Sequence, residues 1–439
     1  MEYSIIGCIC LTFAEQTVLI MRRKVLFYSY TKLTVASLLV AILCCLLAFS
    51  LKHITEYAQH FLFNEVSSRN SLLFIIFPSV GITAIYFLRK YVFRNRKNKG
   101  IKEIYTTLET RKDHLPFFKI PSHYINGFLT VIFGGSTGIE VSTVVATATV
   151  GNQAYKRGLS PLAFKKELIC AGVVAGVTVL FGSAIGGWLF AMEVIAKRMQ
   201  KTVIFSCTVA AILSLVFVHY FDHTFLISMP AEKWQWKAIP YMLILGVLGG
   251  LLATYFTQIV IHCKTWFAHI ESNFIRVNLG AISVGVLILF FPTLYGDSYH
   301  GLASMLSSFT TTEIVTAVPV TLALLIFLKP LAASLTLGAG GDGGVFAPSI
   351  VAGAFLGILF AYLCNSYFGT EFLIINFALI GAAATLSGAI HGPCTAIFLM
   401  CSAAPNGYAL IFPLAVGSLV AFLCSKVLCP YNVYSYKEA

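Results

Sequence analysis

One carboxylate stands in an apolar, glycine-broken stretch: Glu140, within Gly134-Gly-Ser-Thr-Gly138-Ile139-Glu140-Val141-Ser142. An acid at membrane depth costs about 2.5–3.5 kcal/mol on insertion scales and is a functional candidate by default. Two chemistries are open to it. Ionised, it can compete with an anion for the same binding groups; protonated, it can carry a proton. The plainer reading is a buried acid paired for structural reasons.

The stretch has a partner 206 positions later, Gly340-Gly-Asp342-Gly-Gly344-Val345-Phe346-Ala-Pro348. Aligned without a gap, the copies share Gly at 134/340, 135/341, 138/344 and 151/357, Val-Ala at 145–146 and 351–352, and Ala at 148/354. Ile139 then meets Val345, and Glu140 meets Phe346. Matched, glycine-interrupted apolar segments in two halves of a membrane chain point to a substrate site at the repeat interface. Glycine breaks also leave helix N-termini aimed inward, where unpaired N–H groups attract anions without a fixed cation. Further breaks lie at 182–187 and 388–392, where Ala184-Ile-Gly-Gly187 resembles Ala389-Ile-His-Gly392. Taken singly, such glycines more often permit close helix packing; for the matched pair the site is the better reading.

The elements that position these residues are membrane helices. The chain of 439 residues is 58% hydrophobic and 11% charged, where a soluble domain is about 25% charged. This makes an all-α polytopic membrane protein with a single membrane domain over 33–435 and an N-terminal segment over 1–32. The net charge of +12 reflects Lys and Arg gathered in cytoplasmic loops, not nucleic-acid binding. The twelve Cys are scattered with no ligand-like pair, so neither zinc nor a disulfide framework is indicated.

Spans are expected at 33–51 and 72–88, joined by an outer loop over 53–70. A basic cytoplasmic loop follows, with Arg89-Lys90, Arg94 to Lys99 and Arg111-Lys112. Segments 125–133 and 141–150 flank the Gly134 break, and 168–180 and 187–195 flank Gly182. Later spans are expected at 203–221, 239–261, 279–294, 314–328, 345–363, 372–389 and 409–427. Several are shorter than the roughly 20 residues a full crossing needs, so broken and re-entrant helices are expected. The repeat halves run over about 72–201 and 239–428. Residues 1–21 read either as an interfacial helix or as an upstream extension before Met21, and no function is assigned to them.

Together these motifs resemble the CLC family of chloride channels and chloride/proton antiporters, of the prokaryotic type. Its Gly-x-Phe-x-Pro motif is Gly344-Val-Phe346-Ala-Pro348 here; its Gly-[Lys/Arg]-Glu-Gly-Pro is Gly138-Ile-Glu140-Val-Ser142. Its Gly-Ser-Gly-Ile-Pro is weakly matched by Asn98-Lys99-Gly100-Ile101-Lys102, and its late tyrosine is Tyr434. The stretch Gly187-Trp-Leu-Phe190 with Glu193 adds to the likeness, which runs from about residue 33 to 435. The resemblance implies inverted halves, a homodimer with one pore per subunit in the bacterial inner membrane, and no cofactor or metal. It implies an anion, chloride or a similar small monovalent one, held near Lys99, Gly138, Ile139, Val345, Phe346 and Tyr434. Glu140 would be the gating glutamate, blocking the outer anion site when ionised. The cytosolic CBS pair of many relatives is not expected.

Three departures bear on mechanism. Lys99 stands where the family usually has the anion-binding serine; its ammonium could trap the anion, pair with Glu140, or belong to the solvated basic loop. Val194 replaces the internal proton-relay glutamate of many antiporters, which leans toward passive or weakly proton-coupled transport. Val141-Ser142 replaces the Gly-Pro after Glu140, which puts the turn geometry at the gate in question. The rivals are a chloride/proton antiporter, a carrier for another anion, a transport-inactive relative, and a membrane enzyme. The last is disfavoured because the chain has neither His-Glu-x-x-His nor an aspartyl-protease Gly-x-Gly-Asp.

Overall fold

The structure is a computed structural model that describes residues 2–94, 96, 98–110, 115–159, 164–309 and 317–436, with side chains described from residue 24 on except at 25 and 317. Arg111, Lys112 and Lys97 of the basic loop, and the first residues of the span expected from 314, lie outside that set.

Among the described residues there are sixteen α-helices in two runs of eight. The first run is α1 (Glu2–Arg69), α2 (Leu73–Phe87), α3 (Ile101–Glu109), α4 (Lys119–Ile132), α5 (Glu140–Lys156), α6 (Lys165–Phe181), α7 (Ala184–Leu189) and α8 (Lys201–Phe221). The second is α9 (Ile239–Ala268), α10 (Asn273–Phe290), α11 (Tyr299–Ser308), α12 (Ala317–Ala339), α13 (Phe346–Phe368), α14 (Ile374–Ile390), α15 (Pro393–Ala403) and α16 (Ile411–Leu428). Eight helices among the described residues are long and apolar enough to cross a membrane, and the protein is a multi-pass integral membrane protein. Their outer faces carry exposed Ile212, Leu215, Phe290 and Phe327, as a lipid-facing surface should. The innermost helices, α6 and α14, are buried almost all round.

The two halves are inverted copies. Gly138 and Gly344 form an antiparallel backbone bridge at the centre of the molecule. Around it the hydrogen bonds are reciprocal: the Asp342 N–H donates to Thr130 Oγ1 at 3.0 Å, and the Ser136 N–H donates to Thr336 Oγ1 at 3.1 Å. Thr130 and Thr336 are themselves 206 positions apart, as are Ser136 and Asp342. Each half thus supplies the acceptor for the other half's glycine loop.

The matched glycines do different work. Gly134 and Gly340 have φ of 85° and 106°, open to glycine without strain. Gly151 and Gly357 are crossing points instead: an added Cβ would lie 2.1 Å from the Leu168 carbonyl oxygen of α6 and 1.9 Å from the Phe377 carbonyl oxygen of α14. For that pair the packing explanation holds.

Several expected boundaries differ from the fold. The loop expected over 53–70 is the last part of α1. It contains neither Gly nor Pro, and Lys52, Thr55, Gln59 and Val66 form a buried stripe at helical spacing. The basic loop after α2 includes α3, whose Ile101, Ile104 and Leu108 are buried while its polar residues hide the pattern in composition. Helices α11 and α15 were not expected as elements. Helix α12 continues through Lys329-Pro330 to Ala339, eleven residues past the expected end at 328.

Candidate anion site

Glu140 is the first residue of α5 and is 4% exposed. Its side chain folds back over its own helix N-terminus: a Cβ on Gly138 would sit 2.0 Å from Glu140 Oε2. Glycine at 138 is therefore what lets the carboxylate lie there. Oε1 accepts from the Tyr299 hydroxyl at 3.0 Å, while Oε2 is buried without a hydrogen-bond partner. The carboxylate occupies the place where unpaired backbone N–H groups would favour an anion.

On its outer side Glu140 lines a cavity of about 370 Å³, with Ile139, Phe181, Asp297 and Tyr299 among its walls. Lys52 also lines this cavity and is ion-paired with Asp222 at 2.8 Å.

The opposing helix end is that of α13. Val345 is its N-cap and Phe346 its first residue. Phe346 is 1% exposed and packs among Phe190, Phe181 and Tyr434, with ring centroids 5.4, 6.5 and 6.3 Å away. The Val345 N–H points to the Tyr434 hydroxyl at 3.5 Å. Between the two helix ends stands Val141: its Cγ2 lies 2.2 Å from where a Cβ on Gly344 would be. The Gly lost after Glu140 is thus replaced by an isopropyl group fitted against the partner half's glycine.

Gly138, Ile139, Glu140, Val345, Phe346 and Tyr434 therefore converge. Lys99 does not share their cavity. It is exposed, its backbone N–H donates to Glu103 Oε1 at 2.7 Å, and it lines a second cavity with Arg89, Arg96 and Arg276. Val194 is buried at 3% exposure in a wide helical turn, Phe190–Ala196. Its neighbour Glu193 is engaged elsewhere: its carboxylate accepts from the Thr395 N–H at 2.8 Å, the Thr395 hydroxyl at 2.7 Å and the Cys394 N–H at 3.3 Å, which caps α15.

Three residues around Glu140 are not singled out by the sequence analysis: Lys329, Asp297 and Tyr299. Lys329 is fully buried in α12, and its ammonium donates to Ser136 Oγ at 2.8 Å, Ser298 Oγ at 2.8 Å and the Gly296 carbonyl at 3.0 Å. It thereby ties the Gly134–Gly138 loop to the turn that carries Tyr299. Asp297 Oδ1 accepts from the Tyr299 N–H at 3.1 Å and from Gln59 Nε2 at 3.1 Å, fixing the same turn against α1. A lysine inside an apolar run was a visible signal for the first. Tyr299 had none, being a short-helix residue 159 positions from Glu140. On the other loop, Asp342 is held by His123 at 3.1 Å and Arg89 at 3.6 Å, and Arg89 also donates to the Gly340 carbonyl at 2.8 Å.

Comparison with known proteins identifies the family and the fold. The family described as voltage gated chloride channel matches residues 80–426. A voltage-gated ClC-type chloride channel, ClcB of Escherichia coli O9:H4 (strain HS), is 25% identical over 318 residues, 71% of this chain and 74% of the relative. A CLC-type fluoride/proton antiporter superposes with a TM-score of 0.75 at 22% identity, covering 93% of this chain and 98% of its own. A slow cyanobacterial chloride/proton antiporter does so with a TM-score of 0.77 at 20% identity, covering 92% and 96%. With the family matching most of its length and the two glycine loops bridged at its centre, this chain belongs to the CLC family of voltage gated chloride channels.

Proposed function

We propose that the protein moves chloride, or a similar small monovalent anion, through a path that runs between the N-termini of α5 and α13 and is closed from the outer side by Glu140. The observation that carries this reading is the Glu140 carboxylate lying over Gly138, at the mouth of the outer cavity and at its own helix N-terminus. Ionised, it takes the anion's place. Neutral, it loses its attraction to the helix end and leaves the N–H groups of α5 and α13 free. Backbone donors of Ile139, Val345 and Phe346 would hold the anion, with the Tyr434 hydroxyl on the far side.

Passive or weakly proton-coupled transport is the better reading of the inner half. Val194 has no proton to carry, and the Glu193 carboxylate is committed to the N-terminus of α15. A chloride/proton antiporter is the second reading, favoured by one observation: a protonatable group, Glu140, already stands on the ion path. We also read the protein as a homodimer of the bacterial inner membrane, by analogy with its family. Chloride-loaded liposomes test the function directly: efflux after a potassium ionophore is added shows transport, and external pH recorded before that addition shows coupling. Absence of efflux at any external pH would remove the proposal.

A further inference from the structure

The second cavity, about 390 Å³, has four cationic side chains in its wall: Arg89, Arg96, Lys99 and Arg276. Among the described residues no carboxylate lines it. None of Glu140, Phe346 and Tyr434 lines it either. Cytoplasmic loops of membrane proteins are ordinarily basic, but as solvated surface. Here the charges surround a concavity, and the Nε atoms of Arg89 and Arg276 are both buried without a hydrogen-bond partner. Among the described residues only Arg89 of the four has an ion pair, the 3.6 Å contact to Asp342. Like charges gathered around one hollow repel each other unless an anion joins them.

The remaining wall is apolar, with Ile82 of α2 and Val277 of α10. Asn273, Arg276 and Val277 in the first turns of α10 line the cavity, and the adjacent Phe274 and Ile275 are 57% and 58% exposed. Guanidinium groups present paired N–H donors matched to phosphate oxygens, and an ammonium adds a point charge.

We propose that this cavity binds a phosphate ester, with the guanidinium groups of Arg96 and Arg276 as its principal contacts and Lys99 and Arg89 at its rim. The site does not depend on the transport reading. It does adjoin it: Arg89, at the rim, also donates to the Gly340 carbonyl at the start of the loop that leads into α13.

The test is binding to the purified full-length protein. Two probes separate the sources of phosphate: phosphatidic acid against phosphatidylcholine, read by native mass spectrometry of lipid-bound protein, and inorganic phosphate, read by calorimetric titration in phosphatidylcholine nanodiscs. Selective retention of phosphatidic acid alone assigns a lipid headgroup; binding of inorganic phosphate alone assigns a soluble phosphate; both confirm the pocket for either. In each case Arg96→Gln combined with Arg276→Gln should weaken binding by about tenfold or more, the size of one lost charge-assisted hydrogen bond. The Arg96→Lys and Arg276→Lys pair keeps the charge and serves as the folding control, with intermediate affinity expected. No selectivity for phosphatidic acid together with no inorganic-phosphate binding overturns the proposal, and so does binding that the Gln pair leaves unchanged in a folded protein.

Discussion

The Tyr299 hydroxyl donates to Glu140 Oε1 at 3.0 Å and keeps the carboxylate folded over Gly138. The two residues come from opposite halves of the repeat, so under the proposed function the outer closure is itself an inter-half contact. Tyr299 is set by its own turn, which Asp297 and Lys329 hold in place. On that proposal, closure rests on a network and not on one side chain.

Tyr299→Phe tests that relationship. A hydrogen bond to a charged group is worth about 1.5–3 kcal/mol, and one pH unit corresponds to 1.36 kcal/mol. Removing the donor withdraws support from the ionised, closed form alone. The external pH at which chloride efflux is half-maximal should rise by about one unit or more, so that the variant conducts at pH values where the parent is closed. An unchanged profile would mean that Tyr299 does not hold the gate.

Val141 fills the space against Gly344 that a glycine would leave open. Val141→Gly should raise chloride turnover severalfold by widening the gap between the ends of α5 and α13. It should also lower stability by about 1.5–3 kcal/mol, the usual worth of a buried side chain of this size, visible as a lower melting temperature in detergent. Lower turnover in a folded variant would place the narrowest point of the path elsewhere.

Thr130→Val and Thr336→Val remove equivalent acceptors. Each leaves one buried backbone N–H, of Asp342 or of Ser136, without its partner. The cost should be about 1–3 kcal/mol in each case, and thermal unfolding should show two losses of similar size. A large loss for one and none for the other would show that the two loops are not supported alike.

Much of this was legible because the repeat writes itself twice. Gly138 and Gly344, Ile139 and Val345 are recognisable as a pair, and a carboxylate between glycines in an apolar run marks itself. What was not legible lies at a distance or in composition. Tyr299 reaches Glu140 only through the fold, and α11 around it is ten residues long with no strong pattern. Helix α3 was hidden by the charges around it, and the end of α1 by polar residues that prove to face the outer cavity, among them Lys52, Glu56 and Gln59. Lys99 was read from motif position alone; its side-chain environment is set by Arg89 and Arg276, which come from other helices. Lys329 stands within an apolar run, one residue past the span expected to end at 328.

The most direct measurement is chloride efflux from proteoliposomes as a function of external pH, for the parent protein and for Glu140→Ala. The account predicts that parent efflux rises as the external side is acidified, because protonation removes the charge that holds the carboxylate at the helix end. It predicts that Glu140→Ala conducts at all external pH values with a flat profile. A Glu140→Ala profile that still rises with acid, in a folded and conducting variant, would contradict the assignment of Glu140 as the outer closure.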